Sequence, residues 1–177
     1  MQSDALVLFG VTGDLAFKKV FPSLFAMAAN GRLRVPVVGV AREGLSREHL
    51  IERARESLQA QGKPVDESRF ARLADLLRYV PGNYEDPATY RRLRSELGDA
   101  RHPVHYLAIP PSMFGAVVDG LAASGCAAGA RVVLEKPFGR SLASARALSA
   151  TLHRAFDEES ILRIDHYLGK ETVRNLL

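Results

Sequence analysis

Short apolar runs alternating with segments of helical spacing restrict this chain to very few folds. The runs are Leu6–Phe9, Val35–Val40, Arg78–Val80, Val104–Ile109, Arg131–Glu135 and Ile161–Ile164. The helical patterns between them carry their own start and stop signals. The first is expected over Asp14–Ala29, with Asn30-Gly31 as its stop: a first turn, a break at Pro22, whose ring and missing N–H interrupt a helix interior, and the main helix from Pro22 onward. Ser46 caps a helix to about Ala60, another covers Glu67–Leu77, and Asp86 with Pro87 opens one that ends near Gly98. Ser112 and Ser141 are the expected caps of helices reaching Gly125 and Phe156. A strand covered on both faces is apolar nearly throughout, as Val132-Val133-Leu134 is. The alternation therefore predicts a mostly parallel sheet with right-handed connections.

The first run leads straight into Gly10-Val11-Thr12-Gly13-Asp14-Leu15-Ala16. Strand, glycine turn and helix is the arrangement that holds a dinucleotide pyrophosphate. The glycines let backbone approach the phosphates, and the free N–H groups of the helix N-terminus face them. Gly10, Gly13 and Ala16 recur every third residue, and Thr12 stands where the usual pattern has its second glycine. Taken alone, such glycines also make an ordinary tight turn. Joined to the alternation, they give the expected class: α/β, a Rossmann-like doubly wound, mostly parallel sheet with helices on both faces.

Ligands of such a sheet lie outside the carboxyl ends of its strands, so each end is a candidate site. The second strand runs into Arg42. A carboxylate there binds a ribose diol, whereas a guanidinium makes charge-assisted bonds to a 2′-phosphate, so Arg42 favours NADP over NAD. Glu43 beside it is a competing partner or diol ligand. Tyr106 either lines the cleft or belongs to the core. Lys136, in Glu135-Lys136-Pro137-Phe138-Gly139, puts an ammonium at the mouth of a buried strand, where it serves coenzyme and a substrate hydroxyl or pairs with Glu135. The last strand opens into Asp165-His166-Tyr167-Leu168-Gly169-Lys170. His166, Tyr167 and Lys170 form a donor set for a phosphate dianion. Asp165 would repel one, and is suited instead to orienting a basic histidine.

Composition narrows the classes further. A length of 177 residues suits one well-buried domain, 1–177, and no run is long enough to span a bilayer. The single cysteine, Cys126, allows no internal disulfide, and the first residues carry no signal-peptide pattern, so a cytoplasmic protein is expected. The net charge of +4 comes mostly from scattered arginines. The densest group, Arg91-Arg92-x-Arg94, reads as a solvated helix face rather than a nucleic-acid surface, because no aromatics are interleaved. No metal site is assigned.

The glycine turn, the Glu135–Gly139 segment and Arg163-Ile164-Asp165-His166-Tyr167-Leu168-Gly169-Lys170-Glu171 together resemble glucose-6-phosphate dehydrogenase, in the family's order and approximate spacing. The resemblance implies oxidation of glucose 6-phosphate at C1 to 6-phosphogluconolactone, with hydride passing to NADP, at the start of the oxidative pentose phosphate pathway. It implies that Gly10, Val11, Thr12, Gly13, Asp14, Leu15, Ala16, Arg42, Tyr106 and Lys136 contact coenzyme. Lys19, Lys136, His166, Tyr167 and Lys170 would bind substrate, and Asp165 would pair with the catalytic histidine. Phe17 stands where many members have lysine, an exposed change expected to matter little. Full-length members are homo-oligomers; a monomer is open for this chain.

The family's general base belongs to a C-terminal α+β domain that follows the helix begun at Lys170. The sequence stops at Leu177, and His49, His102, His105 and His153 fall outside the shared motifs. The expectation is a coenzyme domain that binds NADP, with NAD possible, and turns over poorly. Two rivals stand beside it. One is a sugar oxidoreductase of the Gfo/Idh/MocA type, which shares the Glu-Lys-Pro strand end but not the Asp-His-Tyr-x-Gly-Lys cluster. The other is a free-standing NADP-binding or regulatory module.

Overall fold

In the computed structural model, residues 2–41, 44–62 and 64–164 are described. The strands are β1 (Ala5–Phe9), β2 (Val37–Ala41), β3 (Leu77–Pro81), β4 (Pro103–Leu107), β5 (Arg131–Glu135) and β6 (Ile161–Ile164). The helices are α1 (Phe21–Ala29), α2 (Arg47–Gln59), α3 (Glu67–Leu76), α4 (Pro87–Leu97), α5 (Phe114–Ala123) and α6 (Leu142–Leu152). The sheet order is β3-β2-β1-β4-β5-β6, and every pairing is parallel. This is the doubly wound order, which reverses between β1 and β4 and leaves a crevice at that point.

Strand periodicity divides the core in two. Ala5, Val7 and Phe9 of β1 point into one apolar cluster with Tyr90, Leu93, Val117 and Leu121 of α4 and α5. Leu8 points into the other, with Phe21, Leu50, Phe70 and Leu73 of α1, α2 and α3. Successive side chains of a strand face opposite ways, so an apolar run with no polar alternation requires helices on both faces.

Three helix starts follow their predicted caps: Ser46, Asp86 and Ser141 each accept a bond from a first-turn N–H, and Asp66, not expected from the sequence, does the same for α3. Three expectations are corrected. The main helix does start at Pro22, α1 running from Phe21 with the proline in its first turn, but no break precedes it. A π-helical turn over Ala16–Val20 precedes it, and the Phe21 N–H reaches back five residues to the Ala16 carbonyl, which absorbs the donor that proline lacks. Ser112 is not a cap: Pro111–Met113 forms a 3-10 turn, and α5 starts at Phe114 without a side-chain cap. Helix α6 stops at Leu152 rather than Phe156, because the following N–H groups of Arg154 and Ala155 bond three residues back and tighten the chain out of the helix. Arg94, in the arginine-rich stretch of α4, caps that helix through the Gly98 carbonyl at 2.6 Å.

Candidate functional site

Register brings the strand ends to one edge. Val80, Val40, Phe9, Leu107, Leu134 and Arg163 form a lateral row across all six strands. The next residue of each strand therefore lies at the carboxyl rim: Ala41, Gly10, Ala108, Glu135 and Ile164 among them. Arg42, Asp165, His166, Tyr167 and Lys170 lie outside the described residues.

The turn after β1 is seated tightly. Gly10 has φ +78, and a Cβ there would lie 2.3 Å from the Ala108 carbonyl oxygen and 2.9 Å from Ile109 Cγ2. Only glycine lets β1 leave the sheet this close to β4. The Gly10 N–H is shared between the Tyr84 hydroxyl at 2.8 Å and the Val40 carbonyl at 3.2 Å, and the Tyr84 hydroxyl donates in turn to Val40 at 3.0 Å. Gly13 N–H closes the turn on the Gly10 carbonyl at 2.8 Å, and Phe17 N–H then bonds Gly13 at 3.1 Å. The N–H groups of Asp14, Leu15 and Ala16 precede that bond, so they have no acceptor one helical turn back.

The side chains of the turn divide by role. Val11 and Ala16 are fully buried, which leaves only their backbone available to a ligand. Gly39 of β2 makes the space for Val11, since a Cβ there would meet Val11 Cγ1 at 2.9 Å. Asp14 is exposed and pairs with Lys18 at 2.9 Å, a bond that holds its carboxyl below the usual range. That pairing directs the one acidic group of the turn to a cation. Thr12 borders a cleft of about 280 Å³ with His49, Arg53, Glu56 and Tyr79. Lys19 is exposed on the π-helical turn.

Two residues before the rim on β4, Tyr106 is half-buried and donates its hydroxyl to Glu135, which lies on the rim at the end of β5. Burial, then the bond and charge of Glu135, push the phenol well above its ordinary range, so it stays a donor. Lys136 follows, exposed, on a cis peptide bond to Pro137. The structure thus brings the glycine turn and Lys136 to one rim, with the Tyr106 hydroxyl reaching it through Glu135.

Two contributors escaped sequence reasoning. Tyr84 lies 74 residues from Gly10 in a loop with no periodic signal. Arg53 lies on α2, a helix with ordinary amphipathic spacing, yet reaches the Thr12 carbonyl. Phe17 is corrected as well: it is half-buried under the Arg53 guanidinium, not a freely exposed side chain.

This tight βα turn at the switch point of a 3-2-1-4-5-6 sheet is the geometry of a dinucleotide site. Residues 7–175 match the family described as glucose-6-phosphate dehydrogenase, NAD binding domain. The chain belongs to that family. The glucose-6-phosphate 1-dehydrogenase 1 of Mycobacterium tuberculosis strain H37Rv is 42% identical over 174 residues, covering 98% of this chain and 37% of that protein. A crystal structure of glucose-6-phosphate 1-dehydrogenase from Mycobacterium avium superposes with a TM-score of 0.91 at 44% identity, over 96% of this chain and 37% of that one. A glucose-6-phosphate dehydrogenase solved in complex with its substrate glucose-6-phosphate superposes at 0.89 with 34% identity, over 100% of this chain and 40% of that one. The chain therefore spans well under half the length of these glucose-6-phosphate dehydrogenases. As an NAD-binding domain of that family it is a coenzyme-binding unit, in agreement with the fold. No helix among the described residues is long and apolar enough to cross a membrane.

Proposed function

We propose that residues 1–177 act as one coenzyme domain that binds NADP along the rim of its sheet. As part of a longer enzyme, the domain would present NADP for oxidation of glucose 6-phosphate at C1. The observation that carries this reading is the Gly10 turn, seated against the Ala108 main chain where only glycine fits, at the switch point of the sheet. Its fit to a dinucleotide is physical. A Cβ at Gly10 would strike the Ala108 main chain and push the turn out of place, and the N–H groups of Asp14–Ala16 supply donors for a pyrophosphate.

Each group then has a defined task. The turn from Gly10 to Ala16 holds the pyrophosphate, with Thr12 reaching a phosphate oxygen. Arg42, next after Ala41 of β2, pairs with the 2′-phosphate and sets the preference for NADP over NAD. Tyr106, kept protonated, borders the coenzyme, and Lys136 donates to coenzyme and to a sugar hydroxyl. Lys19, His166, Tyr167 and Lys170 bind the substrate, the last three at its phosphate. Asp165 orients the histidine base, which the family's C-terminal domain supplies. Bound NADP supplies the hydride acceptor.

Calorimetric titration with NADP and with NAD tests the reading. Saturable binding that favours NADP is expected, and Arg42→Ala should weaken NADP about 10-fold or more while leaving NAD unchanged. Failure to bind either nucleotide refutes the coenzyme reading, and equal loss of both in the variant refutes the role of Arg42.

A further inference from the structure

We infer that Arg53, stacked on Phe17, is a positioning residue that sets the glycine turn for its coenzyme, an inference that rests on the coenzyme reading above. Arg53 extends from α2, 41 residues from the turn it touches. Its Nη2 donates to the Thr12 carbonyl at 2.5 Å and lies 3.5 Å from that of Gly13. Its guanidinium carbon sits 5.0 Å from the centre of the Phe17 ring. Arg53 Nε is buried with no hydrogen-bond partner, so the guanidinium plane is fixed by the ring and not by a full set of acceptors. One helical turn further along α2, the fully buried Ser57 donates to the Phe17 carbonyl. Two residues of α2 therefore grip both ends of the Thr12–Phe17 segment, and Phe17 links them.

The chemistry follows from the direction of the peptide dipoles. A phosphate binds the turn through N–H groups and is repelled by any carbonyl that rotates towards it. The guanidinium ties the Thr12 carbonyl to α2. That fixes the Thr12–Gly13 peptide and places a positive charge behind the turn. Arginine suits the task because its planar group stacks and donates together; lysine donates without stacking.

The test is a calorimetric NADP titration of the wild-type chain, Arg53→Met, Arg53→Lys, Phe17→Leu and the Phe17→Leu/Arg53→Met double variant, with thermal melting in parallel. Arg53→Met should weaken NADP about 10-fold, a loss of roughly 1.4 kcal/mol, and Arg53→Lys by less. Phe17→Leu should weaken it about threefold in the wild-type background and not at all in the Arg53→Met background, since the two act as one unit. A melting temperature that falls while affinity stays within about twofold shows a role in folding alone and overturns the inference, as do additive effects of the two substitutions. If Arg53→Met does not fold, Arg53→Lys and Phe17→Leu make the comparison. A wild-type chain that binds no NADP overturns the coenzyme reading and this inference with it, whereas unchanged affinity across a binding series overturns the inference alone.

Discussion

Replacing Gly10 by alanine isolates what the close approach of β1 to β4 contributes. Two costs add. The backbone there has φ +78, a left-handed conformation that costs an L-residue about 1–2 kcal/mol. The new methyl would also stand 2.3 Å from the Ala108 oxygen and 2.9 Å from its carbonyl carbon. A carbon and an oxygen in ordinary contact sit near ~3.3 Å, so the two backbones must part by roughly 1 Å. Overpacking of this kind costs about 1–3 kcal/mol, and the obstacle here is main chain, which cannot swing aside. Gly125 is the built-in control: it has φ +75, but nothing lies within 4 Å of its added Cβ. Gly125→Ala should therefore lose about 1–2 kcal/mol and Gly10→Ala about 2–5 kcal/mol, read from urea unfolding of each purified chain. NADP affinity should fall at least ~10-fold in Gly10→Ala and stay within about twofold in Gly125→Ala. Equal destabilisation by the two substitutions would refute the steric argument, and unchanged NADP affinity in Gly10→Ala would remove the turn from the site.

Three more outcomes are expected. Tyr84→Phe deletes the hydroxyl that accepts from Gly10 and donates to Val40, leaving Gly10 only the 3.2 Å bond to Val40; unfolding should be easier by about 1 kcal/mol, with no change if the hydroxyl is idle. His105 is buried, and burial pushes its imidazole from 6.5 down to about 4, against the opposing bond to the Cys126 carbonyl. Only the unfolded chain takes up that proton between those values. The stability from neutral His105 is thus complete above pH 6.5 and is lost as pH falls towards about 4, by up to ~3 kcal/mol, at about 1.4 kcal/mol per unit. Urea midpoints of wild type and His105→Gln measured at pH 7 and pH 5 check this, since the variant should lose less over that range. Phe114→Ala removes a buried ring from the apolar cluster that α4 and α5 share with β1 and should cost about 3–5 kcal/mol in the same assay.

Much of the fold is legible because its signals are local. An apolar run such as Arg131–Glu135 needs no distant partner to be recognised, and caps at Ser46, Asp86 and Ser141 act within one helical turn. Sequence and structure part where two local rules meet. Pro22 reads as a break, but a widened turn is a second way to lose one donor. Ser112 is a good capping residue, but Pro110 and Pro111 fix the backbone ahead of it as a 3-10 turn. The rim itself is partly legible too, since Gly10, Tyr106 and Lys136 are each marked by position at a strand end.

The sequence by itself determined the α/β class, the parallel sheet, the place of the glycine turn and the chemical types at the strand ends. Spacing along the chain carries those. It could not determine what holds the turn, because Tyr84 and Arg53 are 74 and 41 residues from the groups they bind. Only the packing of α2 against the turn, and of the β3–α4 loop beneath β1 and β2, places their donors and acceptors within bonding distance. Hydrogen bonds and ring contacts act over a few ångströms, and which distant residues come that close is decided by tertiary structure alone.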